Sequence, residues 1–448
     1  MNYQEFKEAV IKAAKEKGIE KYELYYESQE GTEVETYQDR IESFSVKEGG
    51  GACFRCIYGG KAGYAATELF SEDTVGRLVA HAIENAAVTE SDDPVILKEA
   101  GDTYQDCTVR EIERLDAAQL KETALALQKK LFEQDERVTQ ATQTFVLFQK
   151  NERAIMNSNG LDLSHSVSTG ILFPEAVIEE GEEVYDGDDL VVGDILKADL
   201  SKLAEKAVGQ AISKIGADSV DSRKYTCVFS GRMMASLLQT FSQVFYADTA
   251  QQGLSLLKGK EGEAVASQAV TLIDNPFYGG SSMQYPFDAE GSASYAKTVI
   301  ENGIFKTFLY NLSTASKEGK ETTGNAGRQG YASPLCVMPF HFYIKPGEIT
   351  LEEMMSEVGD GLYITELNGL HSGANPITGD FSLAAAGYLI EGGKQKAAIQ
   401  NFTVSDNFYE FIKKVLKVGK ELEFGIPGGQ SVYGSPCVEV ADVSVAGK

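Results

Sequence analysis

The sequence predicts an α+β protein, with an N-terminal region of sheet and helices followed by a β-rich C-terminal domain of twisted-sheet or barrel-like form. Three observations predict it. An amphipathic opening helix leads into alternating strand-like segments. Further helices with i, i+3, i+4 apolar spacing interrupt those strands. Beyond about residue 223, short strands separated by glycine turns replace long helices. A chain of 448 residues has room for two or three domains. The order of elements divides it into an α+β domain over 1–91, a middle α+β segment over 92–222 and the β-rich domain over 223–448.

MNYQEFKEAVIKAAKEKG opens the chain as a helix, with Phe6, Val10 and Ala14 on one face. YELYYES, TEVETYQ, RIESFSV, GACFRCIY and AGYAATE read as five successive strands with glycine-rich turns between them. Ser71 is the expected N-cap of the next helix, with Glu72 and Asp73 in its first turn. Val75, Leu78, Val79, Ala82, Ile83 and Ala86 supply the stripe that should lie on the sheet.

The middle segment starts with a loop near Asp92. Asp116 and Gln119 have capping-box spacing ahead of Leu120, Ala124, Leu127 and Leu131. RVTQATQTFVLFQ, ERAIMNS and LDLSHSVS read as strands, the last two joined at Asn159-Gly160, a hairpin signal. EEGEEVYDGDD (179–189) reads as a solvated acidic loop, and a helix follows from about Asp199 to Ile215. In the last half, YTCVFS is a strand and Gly231–Tyr246 a helix carrying Met234, Leu237, Leu238, Phe241 and Phe245 as one apolar stripe. NFYEFIKKVLKVG is the one later stretch that reads as a longer helix.

Lys plus Arg number 41 and Asp plus Glu 67, giving a formal net charge of −26. A field of that sign repels phosphate, which argues against nucleic acid and anionic membrane surfaces as partners. No apolar run approaches bilayer length and the opening helix is not a signal peptide, so a soluble, cytoplasmic protein is expected. Six cysteines, widely scattered, do not make a disulfide framework.

Familiar catalytic patterns are missing. Cys53 and Cys56 form CxxC without a second ligand pair, and i, i+3 positions on a strand point to opposite faces, so both read as ordinary strand cysteines. The four histidines, His81, His165, His341 and His371, are far apart in sequence and make no H-E-x-x-H. His81 falls on the polar side of its helix, and only His371 lies in a glycine-rich, turn-rich segment. Ser372, His371 and Asp380 lack a nucleophile elbow, and adjacent Ser and His suit base–nucleophile geometry poorly. There is no phosphate-binding loop and no dinucleotide fingerprint. Gln239 and Gln243 are neutral amides, weak ligands for zinc and poor general bases.

In their order and spacing, GGGACFRCIYGGKAGYAAT, GKEGEAVASQAVTLIDNP, ITGDFSLAAAGYLIEGG and GGQSVYGSP resemble the TldD/PmbA family over nearly the whole chain. The resemblance implies a heterodimeric cytosolic metallopeptidase that degrades unfolded peptides in an enclosed cavity, a family also labelled "modulator of DNA gyrase". The TldD branch holds zinc through a His-Glu-x-x-x-His helix and a later cysteine. An ungapped placement anchored on Gly259–Glu263 puts the two histidine positions on Leu238 and Gln243 and the glutamate position on Gln239. Anchored on Gly429–Val432, the cysteine position falls on Gly425, and Cys437 lies twelve residues away from it.

The resemblance is therefore to the PmbA/TldE branch. It implies a subunit with no metal or other cofactor of its own, paired with a TldD-like catalytic subunit that carries the zinc, or a homodimer when alone. It also implies that Thr378, Gly379, Asp380, Phe381 and Ser382 border the shared cavity and offer hydrogen bonds to an extended peptide. The alternative reading of the same residues is a self-capped turn. Two rival functions stay open at this point: a self-sufficient metallopeptidase using displaced ligands such as His371, Asp380 or Cys437, and a peptide-binding homodimeric scaffold.

Overall fold

The computed structural model describes residues 1–90, 93–107, 112 and 115–448. The loop expected near Asp92 begins outside the described residues. The N-terminal half is built on a seven-stranded antiparallel sheet. Its strands are β1 (Lys21–Tyr37), β2 (Arg40–Tyr58), β3 (Lys61–Thr67), β4 (Gln143–Asn157), β5 (Asp162–Glu180), β6 (Glu183–Asp188) and β7 (Val191–Gly193). They run in the order β3-β2-β1-β4-β5-β6, with β7 also on β5. Residues 1–91 and 92–222 thus contribute strands to one sheet. Helices α1 (Tyr3–Glu16), α2 (Glu72–Val88), α3 (Ala117–Phe132) and α4 (Leu200–Ser213) cover one face of it. Asn2, Ser71, Asp116 and Asp199 cap them through their side chains, with full capping boxes at Asn2 and Asp116.

Several sequence expectations need correction. The five expected strands before α2 are three, because the supposed turns lie inside β1 and β2. Gly31 pairs in register with Lys47 on one side and Gln149 on the other, so cross-strand partners override its turn signal. Gly50 serves close approach: a Cβ there would lie 2.3 Å from the Glu27 carbonyl oxygen. RVTQATQTFVLFQ and ERAIMNS likewise merge into the single strand β4. The acidic stretch 179–189 is a hairpin, with Glu180 opposite Glu183. Tyr185 is buried, and a Cβ on Gly187 would meet the Ala207 carbonyl oxygen of α4 at 2.2 Å, so packing on α4 orders a segment its charge suggested was loose. NFYEFIKKVLKVG is helical only over Phe408–Phe411; a 3-10 turn follows, then the strand Val415–Val418 against Val438–Ala446. Phe408, Phe411, Ile412 and Val415 keep helical spacing and are all buried, but β-branched valines next to an open strand take the sheet instead.

The C-terminal half contains a closed five-stranded barrel of Arg223–Phe229, Gly361–Asn368, Asp380–Glu391, Lys394–Asn407 and Val438–Ala446. The closing contact pairs Thr403–Ser405 with Ser444–Ala446. Beside it lies a six-stranded sheet in which His341–Ile344 and Val432–Ser435 are paired in parallel. Helix α5 (Gly231–Phe241), continued by a 3-10 turn to Phe245, packs its apolar stripe into this core. Among the described residues no helix is long and apolar enough to cross a membrane.

The face of the first sheet without helices docks on the C-terminal half, where Tyr25, Ile155 and Leu161 meet Phe287, Ala289 and Ala326. Charge is buried in this seam. Arg55 lies between Glu23, at 2.7 Å, and Glu290, at 4.0 Å, and Arg328 approaches Glu23 at 3.9 Å. Lys297 pairs with Asp274 at 3.2 Å, and Asp288 accepts the N–H groups of Glu290, Ser292 and Ala326. Arg55, Arg328 and Lys297 thus stand against Glu23, Asp274, Asp288 and Glu290, so the cluster balances when one carboxyl keeps its proton. Burial, then the neighbouring Asp288, pushes Glu290 up from the usual carboxylate range.

A carboxyl that keeps its proton in the fold binds more protons there than in the unfolded chain, so stability must fall as pH rises through that interval. Urea midpoints taken between about pH 5 and pH 9 should decline. In Glu290→Gln, which holds the neutral form permanently, the decline should be visibly shallower.

Candidate functional site

Leu238 on α5 is fully buried among the core side chains, Gln239 points outward and is exposed, and Gln243 is half-buried on the following 3-10 turn. The second anchor reaches the same neighbourhood. The Tyr433 carbonyl accepts the Gly425 N–H at 3.0 Å. The Tyr433 hydroxyl accepts from Ser242, next to Gln243, at 3.2 Å. Tyr246 completes a hydroxyl triangle, 2.9 Å from Ser242 Oγ and 3.0 Å from Tyr433 Oη. The fold therefore brings together the two elements that carry the four positions, but they offer an aliphatic chain, two amides and a glycine. That donor set does not fit zinc, which needs imidazole, thiolate or carboxylate groups.

The displaced-ligand candidates do not gather with these positions into a metal-holding group among the described residues. His371 is exposed on a single short turn, Leu370–Gly373. Cys437 packs against Gly419, and burial pushes its thiol up to about 11, well away from the thiolate a metal requires. His341 is buried on a middle strand of the six-stranded sheet, and burial lowers it to about 4, so it is a neutral aromatic neighbour of Tyr278 and Phe424. Cys53 and Cys56 are both buried in β2. Among the described residues, no three His, Cys, Asp or Glu side chains gather in a metal-holding group.

Thr378 to Ser382 form a bonded turn entering a barrel strand. Asn375 Oδ1 accepts from the N–H groups of Ile377 and Thr378. Asn407 Nδ2 donates to the Thr378 carbonyl and to Asp380 Oδ1, each at 2.8 Å. Hydrogen bonds from Asn407 and then Thr378 hold Asp380 below its usual value. Gly379 has φ +85°, and a Cβ there would lie 2.6 Å from the Tyr409 ring, so glycine is required. Phe381 turns inward, 6.0 Å from Phe241 of α5 and 5.6 Å from Phe411. Ser382 faces out and meets Ser405 across the strands at 2.9 Å. The segment is thus tied through Phe381 to the helix of the vacant ligand positions.

The seam also holds a cavity of about 380 Å³ between the helix-free face of the first sheet and residues 426–430, directly after Gly425. Arg153 lies over the Tyr285 ring at 4.1 Å and donates to Gln430 Oε1 at 3.2 Å. His165 lies 2.6 Å from the Gln284 carbonyl oxygen, and Arg328 lies over Tyr25 at 4.8 Å. Sequence reading singled out neither arginine, because each becomes a lining residue only when halves of the chain more than a hundred residues apart are docked.

Comparison with known proteins identifies the family and fold of the chain. Residues 22–86, 110–215 and 222–447 match the PmbA/TldA metallopeptidase domain 1, central domain and C-terminal domain. The metalloprotease MJ0996 of Methanocaldococcus jannaschii is 26% identical over 423 residues, covering 90% of this chain and 92% of that one. A Thermotoga maritima crystal structure described as a candidate modulator of a DNA gyrase superposes with TM-score 0.90 at 27% identity, covering 99% and 100% of the two chains. TldE from Thermococcus kodakarensis has the same fold, with TM-score 0.89 at 24% identity over 98% and 100%.

Asn407 also caps the helix Phe408–Phe411 by accepting the Tyr409 N–H at 3.1 Å. Asn407→Ala should cost about 1 kcal/mol in urea unfolding. It should also speed hydrogen exchange at the Phe408 and Tyr409 amides while leaving exchange in α1 unchanged.

Proposed function

We propose a role from the premise that the chain belongs to the TldD/PmbA metallopeptidase family: it is a PmbA/TldE-type subunit that carries no catalytic zinc and works with a TldD-like partner that does. One observation carries this reading. At the place where the resemblance puts two histidines, a glutamate and a cysteine, the structure has a core-packed leucine, two glutamines and a glycine. Neither Lewis-acid activation of water nor a general base can come from those groups.

The role left to this chain is to bind and orient. The outward side chains of Thr378, Asp380 and Ser382, with the turn that Asn407 fixes, would line the peptide path shared with the partner and offer hydrogen bonds to the main chain of an extended, unfolded peptide. The net charge of −26 supports a peptide rather than a nucleic-acid substrate. The same reading places the protein in the cytoplasm.

Two measurements test it. After dialysis against zinc and then buffer, elemental analysis should find less than about a tenth of an equivalent of metal, given the missing donors. The chain alone should leave an unfolded peptide intact, while a mixture with a His-Glu-x-x-x-His relative should cleave it. Close to one equivalent of zinc, with chelator-sensitive cleavage by the chain alone, would establish the self-sufficient enzyme instead, and His371→Ala and Cys437→Ala would then locate its ligands.

A further inference from the structure

The buried cluster at the seam is one positive charge short, and one of its carboxyls opens on a cavity. Arg55, Arg328 and Lys297 stand against Glu23, Asp274, Asp288 and Glu290. Asp274 and Asp288 accept hydrogen bonds on both oxygens. Glu23 takes Arg55 on Oε2, and its Oε1 is closed off without a partner. Glu290 takes the Leu312 N–H on Oε2. Its Oε1 accepts no hydrogen bond among the described residues; Arg55 Nη1 lies 4.0 Å away, beyond hydrogen-bond reach. The Glu290 side chain is 2% exposed and lines a cavity of about 670 Å³.

The cavity lies between β3 and the short helices Ala247–Gln251 and Leu312–Lys317. Its cationic side chains are already matched: Arg55 holds Glu23 at 2.7 Å, and Lys317 holds Asp93 at 2.6 Å. Asp248, on the same wall, is not matched. It accepts the N–H groups of Thr249 and Val337, and no cation among the described residues pairs with it. Burial holds both Asp248 and Glu290 above the usual carboxylate range, the response of a carboxyl that lacks a counter-charge. Pro94, Val95, Ile96 and Leu335 add apolar surface to the wall.

We propose that this cavity binds an aliphatic primary ammonium, whose charge takes the place of the proton on Glu290 and whose methylene stem lies on the apolar wall. In a linear diamine the second ammonium would meet Asp248. An ammonium needs only hydrogen-bond acceptors. A metal ion needs gathered donors, and among the described residues no three His, Cys, Asp or Glu side chains gather. An anionic ligand would face two unmatched carboxyls with both cations taken. The net charge of −26 also concentrates cations around the protein. A water takes about 30 Å³ of liquid volume, so the cavity has room for a stem of several carbons. Zinc content tests the role proposed above, and amine binding tests this site; either can fail without the other.

The test is calorimetric titration of the full-length protein with pentane-1,5-diamine, in buffers of different ionisation heat, with circular dichroism to confirm folding of each variant. The wild type should bind the diamine saturably at one site, with a Kd below about 1 mM. At about pH 6.5 binding should release close to one proton, and it should tighten toward about pH 9, where an alkylammonium is still charged. The charged groups facing Glu290 are Asp288 on its own segment, Glu23 and Arg55 on β1 and β2, and, around the cavity, Asp248 and the Lys317–Asp93 pair. Glu290→Gln changes the net charge by a single unit, yet it should weaken binding by about tenfold or more and abolish the proton release. Asp248→Asn should bring the diamine down to the affinity of pentylamine. An unstructured peptide with one lysine is titrated in parallel. Tighter binding by the diamine assigns the site to a free amine, and tighter binding by the peptide assigns it to a lysine side chain. The proton count on the wild type needs no variant. No saturable binding of either probe, binding without proton release, binding unchanged in Glu290→Gln, or equal binding of pentanoate would overturn the proposal.

Discussion

The arrangement of the two halves depends on buried charge at their seam. Arg55 and Glu23, on adjacent strands of the first sheet, are only 4% and 1% exposed, because the C-terminal half covers them. An ion pair removed from water gains little over apolar residues of the same shape, since desolvation offsets most of the Coulomb attraction. Its effect is to make each half intolerant of separation. Glu290 and Arg328 come from the second half and touch the same pair, so displacing either half would leave charge buried without its counterpart. The apolar contacts around Tyr25 and Phe287 then act at a fixed distance, and the cavity beside Arg153 and Gln430 exists because the halves are held this way.

How much of this was legible in the sequence varies with the range of the force involved. Helix starts were legible, because a cap is a bond between residues two or three apart, and the Asp116–Gln119 box forms as its spacing implied. The Asn159-Gly160 turn was legible for the same reason, with Gly160 at φ +86°. Strand lengths were not. Glycines at 31 and 49–51 look like turns until cross-strand partners hold them extended: Gly31 is flanked by Lys47 and Gln149, and Gly49–Gly51 by Glu27–Gln29 of β1. The acidic hairpin at 179–189 and the short helix at Phe408 fail similarly, through contact with α4 and with Val438–Ala446. The barrel-like character of the C-terminal half was legible from many short strands and turns, but its closure through Thr403–Ser405 was not.

The candidate site divides along the same line. The residue types at the metal positions are sequence facts, and their consequence for zinc follows from donor chemistry alone. What the structure adds is that the vacancy is packed. Leu238 belongs to the core, and the ring and hydroxyl of Tyr433 meet the 3-10 turn through Ser242 and Tyr246. Two histidines there would need a cation to justify their buried nitrogens; a leucine and a closed hydroxyl triangle need none.

The turn at Thr378–Ser382 shows why a capped turn and a binding strand are compatible descriptions of the same residues. Its main chain is spent locally: Asn375 Oδ1 accepts the Ile377 and Thr378 N–H groups, Asn407 donates to the Thr378 carbonyl, and Asp380 bonds through its N–H to Thr378 Oγ1 and through its carbonyl to the Asn375 N–H. Its side chains alternate, as in any barrel strand, with Phe381 driven into the core against Phe241 and Asp380 and Ser382 left outside. A residue pattern that anchors one side chain to α5 and fixes the preceding carboxylate by hydrogen bonds from the Asn407 amide and the Thr378 side chain yields a rigid, polar surface. Rigidity lowers the entropy lost when an extended chain is bound. The self-capping is therefore the physical means by which these positions could serve a peptide, and an uncapped, mobile turn would serve it less well.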